Sequence, residues 1–216
     1  MEAMFDAVEL RVLGTMLEKR ATVPDVYPMT VNALVHGCNQ LNNRNPVMNL
    51  SESEVTAALE RLRERGFVGL YTGAATRVPK YTVALGEKLG LKPPELALLT
   101  ELILRGPQTP GELRQHAERL HAFGSLAELE ETLAALSVLA PPLVVRLPKE
   151  PGARAYQWMH TLGGVDFEAL AQAPSESTAP RPAAAESSLA GRLSAVEARV
   201  AALEAQLAAL REQLGG

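Results

Sequence analysis

The chain is poor in the residues from which active sites and membrane anchors are usually built. Its one cysteine, Cys38, excludes an internal disulfide framework. No CxxC pair exists. His36 and Cys38 stand two apart, and His116 and His121 stand five apart, so neither pair offers two ligands on one helix face. Cys38 follows an apolar helical stretch and has no partner histidine, which reads as a small buried hydrophobe rather than a nucleophile. Glycine-rich phosphate loops are missing too, because Gly66, Gly69 and Gly73 fall around a hairpin. A non-enzyme without metal or cofactor is the expectation. No apolar run approaches the roughly 18–20 residues of a membrane span. The first residues, Met1 to Asp6, are acidic and lack a signal-peptide core, so a cytoplasmic protein without membrane contact is expected. Aromatics make up 4 % of 216 residues, leaving leucine, valine and alanine to fill the core.

A basic domain is also absent. Residues 1–90 carry ten basic and ten acidic side chains, residues 91–165 seven and eight, and residues 166–216 four and seven. That balance speaks against the electropositive footprint of most nucleic-acid binders, though local stripes survive within it.

What is present is a strong pattern of helix starts. Asp6 with Glu9, and Ser51 with Glu54, stand at the spacing of a reciprocal capping box, and so do Ser125 and Glu128. Thr109-Pro110-Gly111-Glu112 adds a proline at the first helical position. Helices are predicted over 6–19, from Met29 or Thr30 to Cys38, and over Ser51–Arg65, ended by Gly66. Residues 21–28, with two prolines, read as a loop or extended piece. Phe67–Tyr71 and Val78–Val83 then read as strands around a turn at Thr72–Ala75. After the punctuation of Lys92-Pro93-Pro94 the pattern begins again. Glu95–Arg105 resembles the first helix displaced by 86, while Leu129, Leu133 and Leu136 repeat the spacing of Val55, Leu59 and Leu62 displaced by 74. A second hairpin follows, Leu143–Leu147 with Ala155–His160. The fold class predicted is mainly α with small β-hairpins: two tandem winged-helix domains, 1–90 and 91–164, built by duplication, then a C-terminal coiled-coil helix.

Residues 165–188 are rich in alanine, proline and serine and read as a flexible linker. Beyond them Leu189, Leu193, Val196, Val200, Leu203, Leu207, Leu210 and Leu214 alternate spacings of four and three. With Leu193 at a, Arg192 and Arg199 fall at g, and Glu197 and Glu204 at e. In a parallel pair these face one another with opposite sign, so a parallel homodimer is expected; a helix folding back on its own globular part is the alternative.

The segment Tyr27-Pro28 through Cys38-Asn39-Gln40, Asn43-Arg44, and Pro46-Val47-Met48-Asn49-Leu50-Ser51-Glu52-Ser53-Glu54-Val55 resembles the YceH family of bacterial proteins, as do Arg105–Arg114 and Val144–Leu147. The resemblance spans about residues 6–162. It implies a tandem winged-helix fold and supplies no activity.

The amide cluster, Asn39 to Asn49, is the most unusual chemistry in the chain. Asparagines and glutamines read adenine edges, and Arg44 suits a phosphate or a guanine; they equally close turns on their own backbone, and a peptide partner is a third use. Asn49, just before the Ser51 cap, is expected to close the turn. For a DNA contact the acidic first turn of Ser51–Arg65 is ill suited, which leaves Arg77, Lys80, Lys149 and Arg154 on the hairpins for phosphates and Asn42, Asn43 and Arg44 for bases. Two functions remain open: a dimeric DNA-binding regulator, favoured narrowly because dimerised winged helices most often serve that purpose, and a scaffold that binds protein.

Overall fold

The computed structural model describes residues 3–71, 78–149, 152 and 155–164. The turn at Thr72–Ala75, Arg77, Arg154, the linker and the heptads from Leu189 to Leu214 lie outside the described residues.

Among the described residues seven helices and two hairpins follow one another as α1 (Ala7–Thr22), α2 (Val31–Cys38), α3 (Glu52–Glu64), β1 (Val68–Tyr71), β2 (Lys80–Val83), α4 (Leu85–Leu89), α5 (Pro93–Arg105), α6 (Pro110–Ala117), α7 (Leu126–Ser137), β3 (Val144–Arg146) and β4 (Trp158–His160). A short 3-10 turn, Pro24–Val26, occupies the stretch read as a loop. The architecture is α-rich with small antiparallel sheets.

Local chemistry sets most boundaries. The Asp6 carboxylate accepts the Glu9 amide while the Glu9 carboxylate accepts that of Asp6. Ser51 with Glu54 and Thr109 with Glu112 repeat the exchange. Each such cap satisfies donors that a helix start leaves open and is worth about 1 kcal/mol. Three details differ from the sequence reading. Ser125 accepts from the Glu128 amide, but the Glu128 carboxylate reaches the Gly124 N–H instead of returning to Ser125, so that box is half-formed. Pro93 and Pro94 do not stand outside α5 but open it, since a proline in the first turn lacks only an N–H that the helix cannot use. α4 was not anticipated: it spans five residues, has no side-chain cap, and stops at Gly90, whose φ of +64° suits glycine.

The two halves repeat one another closely. Strands β1 and β2 pair with Val68 opposite Val83, and β3 and β4 with Val144 opposite His160. In each half the residue before the threonine cap of the second helix adds a one-residue third strand. Met29 exchanges two backbone hydrogen bonds with Tyr81, and Gln108 does the same with Trp158.

Both repeats share one core. Val55, Leu59 and Leu62 of α3 and Leu129, Leu133 and Leu136 of α7 are buried as their spacing predicts, each contributing on the order of 1.5–3 kcal/mol. α1 and α5 are buried all round over residues 9–18 and 97–104, because they pack on each other as well as on their own repeats. At Gly14 an added Cβ would lie 2.8 Å from Ile103 Cγ2 and 2.9 Å from Leu104 Cδ2, so the glycine sets the closeness of that seam. Met4 and Phe5 complete the unit by donating their amides to the Leu162 carbonyl.

Candidate functional site: the amide loop and the exposed helix faces

α1 carries Arg11 and Glu18 one above the other, seven residues apart, among buried side chains that also include Glu9 and Thr15. Both point at the loop that follows α2. Arg11, 2 % exposed, donates to the carbonyls of Cys38 (3.0 Å) and Pro46 (2.6 Å), while its Nε has no partner. Burial, with Arg44 nearby, lowers its pKa. Glu18 takes the Arg44 guanidinium in a two-point grip, Nη2 to Oε2 at 2.6 Å and Nη1 to Oε1 at 3.3 Å. Burial alone would raise the Glu18 carboxyl; the hydrogen bonds and charge of Arg44, with Lys19, outweigh it and hold the group below its ordinary range.

Arg44 is therefore not a hand held out to a phosphate or a base. Its side chain is wholly buried and also donates to the carbonyls of Gly37 and Asn43 and to the amide oxygen of Gln40. Asn43 is exposed, with φ +61°, an αL position that asparagine tolerates; its side-chain oxygen accepts from Arg105 at 2.7 Å. The Asn45 amide donates to the Leu104 carbonyl. Asn42 is exposed. The loop is thus fastened to both α1 and α5, across the seam of the repeats. Nor does Asn49 close the turn: Asn39 does, with its amide accepting from Leu50 N–H at 2.7 Å and donating to Leu50 O at 2.8 Å. Sequence reasoning passed over Arg11, Glu18 and Asn39. The visible signal was Arg11 and Glu18, opposite charges seven apart and so on one face of α1.

Cys38 is fully buried beside the Thr15 hydroxyl, and burial pushes its thiol pKa up, as befits an inert thiol. Among the described residues no group of three or more histidine, cysteine or carboxylate side chains could hold a metal ion. None of the described helices is long and apolar enough to cross a membrane.

The third helix of each repeat turns the opposite charge from a DNA reader to solvent. On α3 the exposed carboxylates are Glu52, Glu54, Glu60 and Glu64. Arg61 is drawn onto Glu9 of α1 (3.0 Å) and its cap Asp6 (2.7 Å), and Arg65 onto Glu9 (3.3 Å) and the faces of Phe5 and Phe67. Arg63 is exposed. On α7 Glu128, Glu130 and Glu131 are exposed and no basic residue occurs between Leu126 and Ser137. On the hairpins Lys80 is half-buried and Lys149 exposed, its ammonium 5.8 Å from the Tyr156 ring centre. Neither lysine is gathered into one surface with Asn42 and Asn43 by any contact among the described residues. A groove of about 430 Å³ opens beside α7, bounded by Pro110, Glu130, Arg146, Tyr156 and Trp158.

Residues 5–153 match the family described as "Protein of unknown function, DUF480". A UPF0502 protein of Geotalea daltonii is 46 % identical over 193 residues, 89 % of this chain and 88 % of that protein. A UPF0502 protein of Citrifermentans bemidjiense is 49 % identical over 164 residues, 76 % of each chain. One of Burkholderia multivorans is 48 % identical over 157 residues, 73 % of this chain and 66 % of its own length. With the matched segment covering the first repeat, its amide loop and the second repeat as far as β3, the chain belongs to the DUF480 family, alongside the bacterial UPF0502 proteins.

Proposed function

We propose that this is a tandem winged-helix protein, as the likeness to the YceH family implies, which binds other proteins and neither reads duplex DNA nor catalyses a reaction. The order helix, helix, helix, hairpin occurs twice, each time with a one-residue third strand, and that supports the winged-helix reading. The observation that carries the protein-binding role is the charge of the third helices. Duplex DNA presents a negative charge about every 1.7 Å, and the helix that would enter its groove is acidic in both repeats. Of the arginines that could offset this, Arg61 of α3 and Arg65 just after it are held by Asp6 and Glu9, Arg44 is buried, and Arg63 is exposed with no ion pair among the described residues. Homodimerisation through Leu189–Leu214 is part of the proposal and would present two copies of each binding face.

The duplex-DNA reading is left with Arg63, Arg77, Lys80, Lys149 and Arg154 for phosphates and with Asn42 and Asn43 for bases. Fluorescence anisotropy with a mixed-sequence duplex at about 50 mM salt separates the two readings. No saturable binding is expected. Binding that weakens with salt, and whose slope falls by about 1.8 when Lys80 and Lys149 are both changed to alanine, would overturn the proposal, since each phosphate contact contributes about 0.9.

A further inference from the structure

We propose that the outer face of α7, together with the groove beside it, docks a basic amphipathic helix of a partner protein. The inference rests on the protein-binding reading above and adds the site and the partner's chemistry.

α7 turns Leu129, Leu133 and Leu136 inward, which would ordinarily leave a polar outer face. Its outer face carries Glu128, Glu130 and Glu131, but exposed carbon stands beside them and just past the helix end. Leu126 is 41 % exposed, Val138 81 % and Leu139 42 %, with Ala134 exposed between them. Leu126, Glu130 and Ala134 follow one another at four-residue steps and so form a single ridge, with Glu131 and Val138 alongside. Isolated exposed leucines are ordinary on a protein surface. Here the same ridge reaches, through Glu130, the groove walled also by Pro110, Tyr156 and Trp158. Trp158, the chain's one tryptophan, is half-buried there, an aromatic anchor of the type that dominates protein interfaces.

Charge selects the occupant. Glu130 and Glu131 make no ion pair among the described residues, and no cation lies on α7 to neutralise them. Two copies of α7 meeting about a two-fold axis would set glutamate against glutamate, so a second copy is disfavoured, and nucleic acid is disfavoured for the same reason. A partner with lysine or arginine flanking an apolar stripe meets carbon with carbon and carboxylate with cation. The small side chain of Ala134 lets a helical backbone come close, which suits a helix-in-groove arrangement. Arg146 is stacked on Tyr156 at 4.6 Å and keeps the hairpin end of the groove cationic. The partner's basic residues therefore belong on the α7 side and its largest apolar residue against Trp158.

The test uses the full chain and a capped synthetic peptide of lysine, leucine and alanine patterned as an amphipathic helix, with a counterpart in which glutamine replaces every lysine. Binding is read by Trp158 emission and by amide chemical shifts. Saturable binding of the lysine peptide is expected, with shifts on α7. Glu130→Gln with Glu131→Gln should weaken it about tenfold, the scale of two partly exposed charge pairs. Val138→Ser should weaken it several-fold, and because that residue is solvent-exposed the fold should be untouched. Glu60→Gln with Glu64→Gln on α3, an equal change in net charge, should leave it unaltered. Equal binding of the glutamine peptide, equal loss from the α3 pair, absence of binding at millimolar peptide, or self-association that Val138→Ser abolishes would each overturn the proposal. The same preparation is assayed with duplex DNA: absence of both activities rejects the docking face and spares the protein-binding reading, whereas DNA binding rejects that reading itself.

Discussion

Between their second and third helices the two repeats travel the same corner with different lengths of chain, residues 39–51 in the first and 118–125 in the second. The longer path carries a buried arginine held by a glutamate of α1. In the shorter one Gly124, Ser125 and Glu128 form a half-box around the start of α7, with no buried ion pair among the described residues. Beneath the two corners lie two buried carboxylates, Glu18 on α1 and Glu101 on α5, and they are driven in opposite directions. Arg44 lowers the pKa of the first; burial raises that of the second despite Arg105 at 2.8 Å. Glu18 has Lys19 as a second cation, Glu101 is also repelled by the charge of Glu18, and the two arginines are unequally enclosed. The Arg44 side chain is fully buried against Glu18, whereas the Arg105 side chain is 24 % exposed and shared with Asn43. The longer corner of the first repeat thus supplies the counter-ion of Glu18 and is tied to the seam through Asn43.

The sharpest way to break that comparison is to remove Arg44. Arg44→Ala leaves Glu18 buried without its principal partner, and stranding one member of a buried pair costs about 3–5 kcal/mol. Urea unfolding should show the midpoint falling accordingly, with the amide loop losing hydrogen-exchange protection first. A shift below about 1 kcal/mol would mean that the loop does not depend on the ion pair.

Much of this was legible in the chain and some of it was not, and the division follows the range of the interaction. Caps at Asp6, Ser51 and Thr109 are closed by residues three apart, so the sequence displays both partners. The duplication is legible for the same reason, since each copy repeats its own local signals. Arg44 finds Glu18 at a separation of 26 residues, and nothing near Arg44 announces it. Proximity misled at Asn49, which adjoins the helix start, while the residue that closes the loop, Asn39, stands 11 positions before Leu50. α4 escaped because five residues without a capping side chain carry almost no periodic signal.

Asn39 gives a smaller effect that sharpens the contrast within the loop itself. Asn39→Ala deprives the part-buried Leu50 amide and carbonyl of both bonds and should cost about 1–2 kcal/mol. Asn49→Ala, at an exposed position, should stay within about 0.5 kcal/mol. Thermal or urea unfolding of the two variants side by side decides it, and the reverse order would restore Asn49 as the closing residue.

The smallest expected effect is one of pH, and it separates the two carboxylates by sign. Burial raises the folded-state pKa of Glu101, with Arg105 opposing and Glu18 reinforcing, so the folded protein holds this proton at a pH where the unfolded chain has released it. In that window the native state binds more protons, and stability falls as pH rises from the ordinary glutamate range of about 4.3 through the raised value. Glu18 works the other way. Its folded pKa is depressed, so its contribution is present above the unfolded value and is lost as pH falls through the folded one. Glu101→Gln should therefore flatten the decline of stability on the alkaline side of the carboxylate range and leave the acid limb, to which Glu18 contributes, unchanged. The weaker bond that a neutral amide makes to Arg105 offsets part of the gain. That amide does not titrate, so the slope rather than the height of the curve is the quantity to read. Urea midpoints of wild type and variant at half-unit steps between about pH 4 and 8 supply it. A variant curve parallel to wild type throughout would show that Glu101 is ionised in the folded protein as readily as in the unfolded chain, and the two repeats would then treat their buried carboxylates alike.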